Sequence, residues 1–131
     1  MAANKLPSHS ILVATTDEVH LTRLSAALKN AGFKVVHAFD GYEVVRYCQK
    51  QEETGIMILD TSLPGLNGYE TTRLIRESGN FEIMIILLAW FSVQALEMAY
   101  AVGANELVAK PVNEEELVEM VMKLQNSEET K

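Results

Sequence analysis

Two charged side chains in this sequence have the types and the setting of a reactive site. Asp60 ends the apolar run IMILD and is followed by the turn-forming residues TSLPGLNG, and Lys110 precedes Pro111 after a second short apolar run. A buried strand that ends in an acid presents the carboxylate at the carboxyl edge of a parallel sheet, where ligands of such sheets bind. Asp60 is therefore a candidate reactive carboxylate. Opposite charges at the rim of a sheet also form simple ion pairs, so the alternative is a fixed Asp60–Lys110 strut.

The elements that must position these side chains alternate between strand and helix five times. Apolar runs without polar alternation indicate buried strands, and apolar residues at helical spacing indicate the helices between them. The predicted strands are 10–14, 33–38, 56–60, 83–88 and 106–109, and the predicted helices are 17–31, 41–52, 67–78, 91–102 and 113–125.

This alternation predicts an α/β fold, a doubly wound (βα)5 sandwich with a five-stranded parallel sheet. We expect one domain over residues 8–126, with flexible tails at 1–7 and 127–131. The ends of four strands then converge on one shallow pocket. The residues expected there are Thr15, Thr16, Asp60, Leu88 and Lys110.

Composition narrows the classes of function. The net charge of −7 disfavours a nucleic-acid partner and favours contact with proteins. Cys48 is the only cysteine, which excludes an internal disulfide and a thiolate metal cluster. The longest apolar run, IMIILLAWF, has nine residues and is too short to insert across a membrane. We therefore expect a cytoplasmic protein.

With these residues in place, the chain resembles the receiver domains of two-component response regulators over nearly its whole length. The resemblance is carried by Asp60 with its loop DTSLPGLNG, by Lys110–Pro111, and by Gly32 after the first helix. It implies a flavodoxin-like fold in which Asp60 is the phosphoacceptor for a histidine kinase. It further implies a magnesium ion held by two acids after the first strand, a hydroxyl after the fourth strand, an inward-swinging aromatic in the fifth strand, and a cis peptide bond at Lys110–Pro111.

The sequence departs from this pattern at four positions. Thr15 and Thr16 stand in place of the two acids, Leu88 in place of the hydroxyl, and Leu107 at the switch position in place of the aromatic. Asp17 and Glu18 follow the threonines, and a start of the first helix explains them more simply than a shifted metal site. We expect magnesium to bind weakly or not at all, because too few carboxylates remain.

The sequence therefore predicts an atypical receiver, a pseudo-receiver, that signals mainly by phosphate-independent protein contact and is not an enzyme. Two alternatives stay open: a phosphoacceptor that uses Asp60 with weak metal dependence, and a small-molecule domain that has reused the pocket. The expected partners are a histidine kinase or a downstream effector.

The fourth helix is the candidate interface. In FSVQALEMAYAV, nine of twelve residues are apolar and surround the helix axis, whereas an outer helix of this fold needs one buried stripe. Trp90, Phe91, Met98 and Tyr100 are the interface candidates, and Trp90 has the alternative role of covering the pocket. By resemblance to how receivers pair, a homodimer through helix 4, strand 5 and helix 5 is also expected.

Overall fold

The computed structural model describes residues 10–50 and 55–129, and for residues 127–129 it describes the backbone only. Five parallel strands alternate with five helices, as predicted. The strands are β1 (Ser10–Ala14), β2 (Lys34–Ala38), β3 (Ile56–Asp60), β4 (Met84–Ala89) and β5 (Glu106–Ala109). The helices are α1 (Glu18–Asn30), α2 (Gly41–Gln49), α3 (Gly68–Glu77), α4 (Val93–Val102) and α5 (Glu114–Glu129).

The strands lie in the order β2-β1-β3-β4-β5, all parallel. The chain moves outward in one direction from β1 to β2 and in the other from β3 to β5. The switch point therefore lies between β1 and β3, where ligand sites of doubly wound sheets are found. Asp60 is the last residue of β3, and so stands at this point.

The core forms two clusters, one on each face of the sheet. Ile11 and Val13 of β1 point toward α1 and α5, whereas Leu12 and Ala14 point toward α2, α3 and α4. This alternation is the period of two of an extended strand, with both faces apolar because helices cover both. The central strands are buried, and β2 and β5 are the partly exposed edges.

Local capping explains where the helices begin. At each helix start a short polar side chain accepts the backbone N–H three residues later, which satisfies one of the unpaired donors of the first turn. The five caps are Asp17, Asp40, Asn67, Ser92 and Asn113. At the end of α1, Gly32 adopts the left-handed region (φ 98°), and the N–H of Phe33 returns to the carbonyl of Leu28.

Some predicted bounds differ from the observed ones. The second helix ends at Gln49, before the predicted 52, because Lys50 already caps it, and residues 51–54 lie outside the described part. The fourth strand runs one residue later than predicted, and α5 continues to Glu129 rather than 125. The predicted tail 1–7 lies outside the described residues.

The guanidinium of Arg76 links α3 to the loops that precede β4 and β5. Arg76 of α3 donates to the carbonyls of Gly103 and Asn80 and to Oδ1 of Asn105, at 2.9 to 3.1 Å. Asn105 Oδ1 also accepts the backbone N–H of Ile85 at 2.7 Å. This clasp fixes the end of α4 and the start of β5 against α3.

Candidate functional site

The carboxylate of Asp60 is surrounded by hydrogen-bond donors at the carboxyl edge of the sheet. Its Oδ1 accepts from Lys110 Nζ at 2.7 Å, from Ser62 Oγ at 2.7 Å and from the backbone N–H of Ser62 at 3.0 Å. Its Oδ2 accepts from Thr15 Oγ1 at 3.1 Å. The Asp60 side chain is 7% exposed and that of Lys110 is 17% exposed. The pair is therefore a largely buried ion pair in which both carboxylate oxygens are occupied.

These contacts set the protonation state of Asp60. Burial raises the pKa of its carboxyl, because the charged form is costly in a poorly solvated place. The hydrogen bonds from Lys110 and Ser62, with the positive charge of Lys110, outweigh burial and hold the pKa of Asp60 below its usual value. Asp60 is thus an ionised group at neutral pH.

The neighbouring elements hold this carboxylate in place. Thr15 is 1% exposed; its hydroxyl accepts the N–H of Asp17 at 3.2 Å while donating to Asp60. Gly68, at the start of α3, lies so close to the end of β3 that an added Cβ would sit 2.7 Å from the carbonyl oxygen of Asp60. Only glycine allows this close approach. The Lys110–Pro111 peptide bond is cis, as the resemblance implied.

A cavity of about 470 Å³ opens beside the carboxylate. It is lined by Asp60, Ser62 and Lys110 from the sheet edge, by Trp90, by residues of the loop that leads into α5, and by one side of the start of α1. The other lining residues are Thr16, Asp17, Val19, His20, Arg23, Pro111, Val112 and Glu114. Trp90 is 68% exposed and borders this cavity without closing it.

The predicted pocket residues are divided between the cavity and the core. Thr16, Asp60 and Lys110 line the cavity, and Thr15 lies beneath it as a donor to Asp60. Leu88 pairs with Asp60 in the sheet, but its fully buried side chain belongs to the core under α1 and α5. The Leu88 side chain is therefore not among those that line the cavity, where the sequence placed it. Leu107 packs, half-buried, against the core under α2, α3 and α4.

The sequence did not predict Ser62 as a site residue, nor the α1 residues that line one side of the cavity. Ser62 lies two residues after Asp60, a spacing at which an aspartate side chain commonly accepts hydrogen bonds from the turn that follows it, and this signal was available. Val19, His20 and Arg23 line the cavity because successive turns of α1 face it, which the apolar pattern of the helix does not reveal. His20 Nε2 is buried without a hydrogen-bond partner among the described residues.

The side chains beside Asp60 supply few of the charged oxygens that a magnesium ion prefers. Octahedral magnesium sites in proteins use hard, preferably charged oxygens, and Asp60 already directs both oxygens to donors. The nearby Asp17 caps α1 by accepting the N–H of His20. Within the described residues, no group of three or more His, Cys, Asp and Glu side chains lies together in an arrangement that could hold a metal ion.

A direct sequence match agrees with these structural features, which are the fold, the aspartate at the switch point, and the lysine with its cis proline. The family profile of the response regulator receiver domain matches residues 11–122. The chain belongs to the response regulator receiver domain family. Among curated proteins, an uncharacterised transcriptional regulatory protein of Bacillus subtilis, YcbL, is 38% identical over 95 residues, which cover 72% of this chain and 41% of that protein. The chain spans less than half the length of such relatives.

Solved structures agree with this membership. The receiver domain of the sensor histidine kinase PA1611 from Pseudomonas aeruginosa, solved with a magnesium ion coordinated in the active-site cleft, is 31% identical. It matches with a TM-score of 0.78 over 87% of this chain and 94% of that one. A CheY-like receiver domain protein from Methanospirillum hungatei has a TM-score of 0.83 over 92% of this chain and 96% of that one; at 21% identity it shows the fold alone.

The outer surface of α4 exposes large apolar side chains. Only Ala95, Ala99 and Val102 of this helix are buried. The interface candidates Trp90, Phe91, Met98 and Tyr100 are 68%, 63%, 42% and 87% exposed, and Val93 and Leu96 add 61% and 51%. No helix in the described part of the chain is long and apolar enough to cross a membrane.

Proposed function

We propose that this receiver domain has a degenerate phosphorylation site and signals in a two-component or phosphorelay pathway mainly by phosphate-independent protein contact. The observation that carries the proposal is the state of Asp60. Its carboxylate is paired with Lys110 and accepts three further hydrogen bonds, from Ser62 and Thr15, so the would-be nucleophile is already satisfied. The donors that stabilise the ionised carboxylate and lower its pKa also make it a weaker nucleophile toward phosphorus.

The electrostatics of phosphoryl transfer support the same reading. The reaction depends on positioning and on neutralising charge that spreads over the phosphoryl oxygens. Thr15 and Thr16 supply no charge to hold a cation, and Leu88 supplies no hydroxyl. Losing one such electrostatic partner raises a barrier by about 2–4 kcal/mol. We therefore expect Mg²⁺ to bind weakly or not at all, and phosphorylation of Asp60 to be slow.

Two alternatives have specific support. The ionised Asp60, the lysine and the cis proline are retained, which favours a phosphoacceptor with weak metal dependence. The cavity of about 470 Å³ is large enough for a small ligand, which favours reuse of the pocket. The magnesium ion in the cleft of the PA1611 receiver marks what a metal-dependent site of this family binds.

The partners we propose are proteins: a histidine kinase or a downstream effector, with a second copy as an alternative through α4, β5 and α5. The exposed apolar side chains of α4 support this surface. The net charge of −7 argues against nucleic acid, and we propose a non-enzymatic role in the cytoplasm.

A phosphoryl-mimic titration tests the proposal. Trp90 is the only tryptophan and borders the cavity, so its fluorescence reports occupation of the site. Beryllofluoride is added with millimolar Mg²⁺ to the wild type and to Asp60→Asn, with fold checked by circular dichroism. We expect no saturable change in either protein. A saturable response in the wild type that Asp60→Asn abolishes would establish the phosphoacceptor instead, and a response that persists in Asp60→Asn would point to a small-molecule site.

A further inference from the structure

The exposed apolar residues of α4 form a stripe with a defined direction. Val93, Leu96 and Tyr100 follow a spacing of three and four residues, so they share one side of the helix. The side that holds the buried residues Ala95, Ala99 and Val102 is centred more than a quarter turn around the axis from the centre of this stripe. The helix therefore has two apolar faces, a small-residue face packed inward and a large-residue face in solvent.

The charged residues nearest in sequence to this stripe are acidic. The sequence from Trp90 to Ala109 contains no lysine or arginine, and its only charged residues are Glu97 and Glu106, both exposed. Glu97 lies on α4 between Val93 and Tyr100, within one turn of each. Extended to Asn126, the segment holds six glutamates against two lysines, a net −4 of the chain's −7, and Lys110 is paired with Asp60.

One basic side chain does approach the helix. The guanidinium of Arg76 reaches the end of α4, but it is committed to Gly103, Asn80 and Asn105. It leaves the acidic character of the stripe unchanged.

From this pattern we propose that the α4 stripe docks a partner segment with a basic amphipathic surface, such as a helix with leucine-like residues on one face and lysine or arginine beside them. The inference rests on the proposed function of phosphate-independent contact and names the chemistry of the partner. Apolar side chains supply the buried area, and Glu97 and Glu106 select for positive charge at the rim. A second copy of this chain fits less well, because a face-to-face dimer places glutamates of both copies along the same interface.

The test uses a helical peptide of leucine and lysine with a fluorescent label, and a matched peptide in which glutamate replaces every lysine. Binding is followed by anisotropy and by Trp90 emission, without phosphodonor. We expect saturable binding of the basic peptide only. Leu96→Ser with Tyr100→Ser should weaken it by about tenfold or more, since central apolar anchors carry most of the affinity of an interface. Glu97→Lys should weaken it by several-fold.

The matched control is Phe39→Ser, which removes an exposed aromatic that follows β2, at the opposite edge of the sheet. It should leave peptide affinity unchanged. Equal loss in Phe39→Ser, or no loss in the α4 variants, would show that the peptide binds the acidic surface without using the stripe and would overturn the proposal.

Light scattering across a range of protein concentrations tests whether a second copy of this chain occupies the stripe. A wild-type dimer that Leu96→Ser with Tyr100→Ser dissociates would assign the stripe to a second copy and also overturn the basic-partner proposal. The beryllofluoride titration is independent of both measurements, so failure of this inference and failure of the proposed function are distinguishable.

Discussion

Replacing Lys110 by methionine tests whether the Asp60–Lys110 pair stabilises the fold as a strut. Methionine retains much of the apolar stem of lysine and removes the charge. The Asp60 carboxylate, 7% exposed, then loses the ionic partner that it has among the described residues but keeps the donors Ser62 and Thr15. Breaking a buried pair from one side typically costs about 3–5 kcal/mol.

Two features of the site reduce that cost. Three hydrogen bonds to Asp60 persist in the variant, and each bond to a charged group stabilises by about 1.5–3 kcal/mol. In addition, Asp60 can take up a proton instead of remaining charged and unpaired. Protonating a carboxyl of ordinary pKa at pH 7 costs about 4 kcal/mol, which sets an upper limit on the loss of stability. We expect Lys110→Met to lower the free energy of unfolding by about 2–3 kcal/mol, within these limits.

The assay is urea unfolding at pH 7, with Lys123→Met as the control at an exposed lysine of α5. The control should change the free energy of unfolding by about 0.5 kcal/mol or less. A double-mutant cycle with Asp60→Asn should give a coupling energy of about 1–3 kcal/mol. The pKa of Asp60, followed by carboxyl NMR, should rise in Lys110→Met because burial is then opposed by fewer donors. If Lys110→Met is no more costly than Lys123→Met and that pKa is unmoved, the strut is refuted.

Three further results are expected. The pKa of Asp60 is lower in the folded state than in the unfolded state. The stability that Asp60 contributes is therefore complete above the unfolded-state pKa and is lost as pH falls through the folded-state pKa. In urea unfolding, the wild type should lose stability below about pH 5 more steeply than Asp60→Asn. Arg76→Ala should lower the free energy of unfolding by about 2 kcal/mol through loss of its three hydrogen bonds, whereas the exposed Arg73→Ala should cost about 0.5 kcal/mol or less. Thr15→Asp with Thr16→Asp should be destabilised without metal, because like charges face Asp60, and its melting temperature should rise with millimolar Mg²⁺ while that of the wild type does not.

The architecture was predictable because it is repeated in the pattern of residues. Each buried strand has a continuous apolar run, and each helix start has a polar cap such as Asp40 or Asn67, so several local signals agree. The position of Asp60 at the switch point follows from that order alone. The end of α2 did not follow, because the polar residues after Gln49 carry no strong stop signal and Lys50 caps the helix by backbone contacts.

The site was only partly predictable, since a side chain's neighbours depend on tertiary geometry. The sequence located Leu88 at the right place on β4 but could not show its side chain in the core under α1 and α5. In residues 91–102, nine of twelve residues are apolar and surround the helix axis, so the sequence left the buried face undecided. The structure buries Ala95 and Ala99, since small side chains let a helix pack closely, and leaves the larger Tyr100 in solvent.

The charges at the sheet edge connect the missing acids to the proposed loss of phosphate dependence. A receiver that carries two further acids beside its phosphoacceptor places three negative charges together, and a lysine alone cannot neutralise them, so a divalent cation is needed. With Thr15 and Thr16 at those positions, Asp60 contributes one negative charge and Lys110 one positive charge at 2.7 Å. This pair is then neutral without metal, and phosphorylation would add negative charge beside a lysine that is already paired. Under the proposed function, the pair takes the structural place of the cation, and binding at the exposed α4 surface should not depend on a phosphodonor.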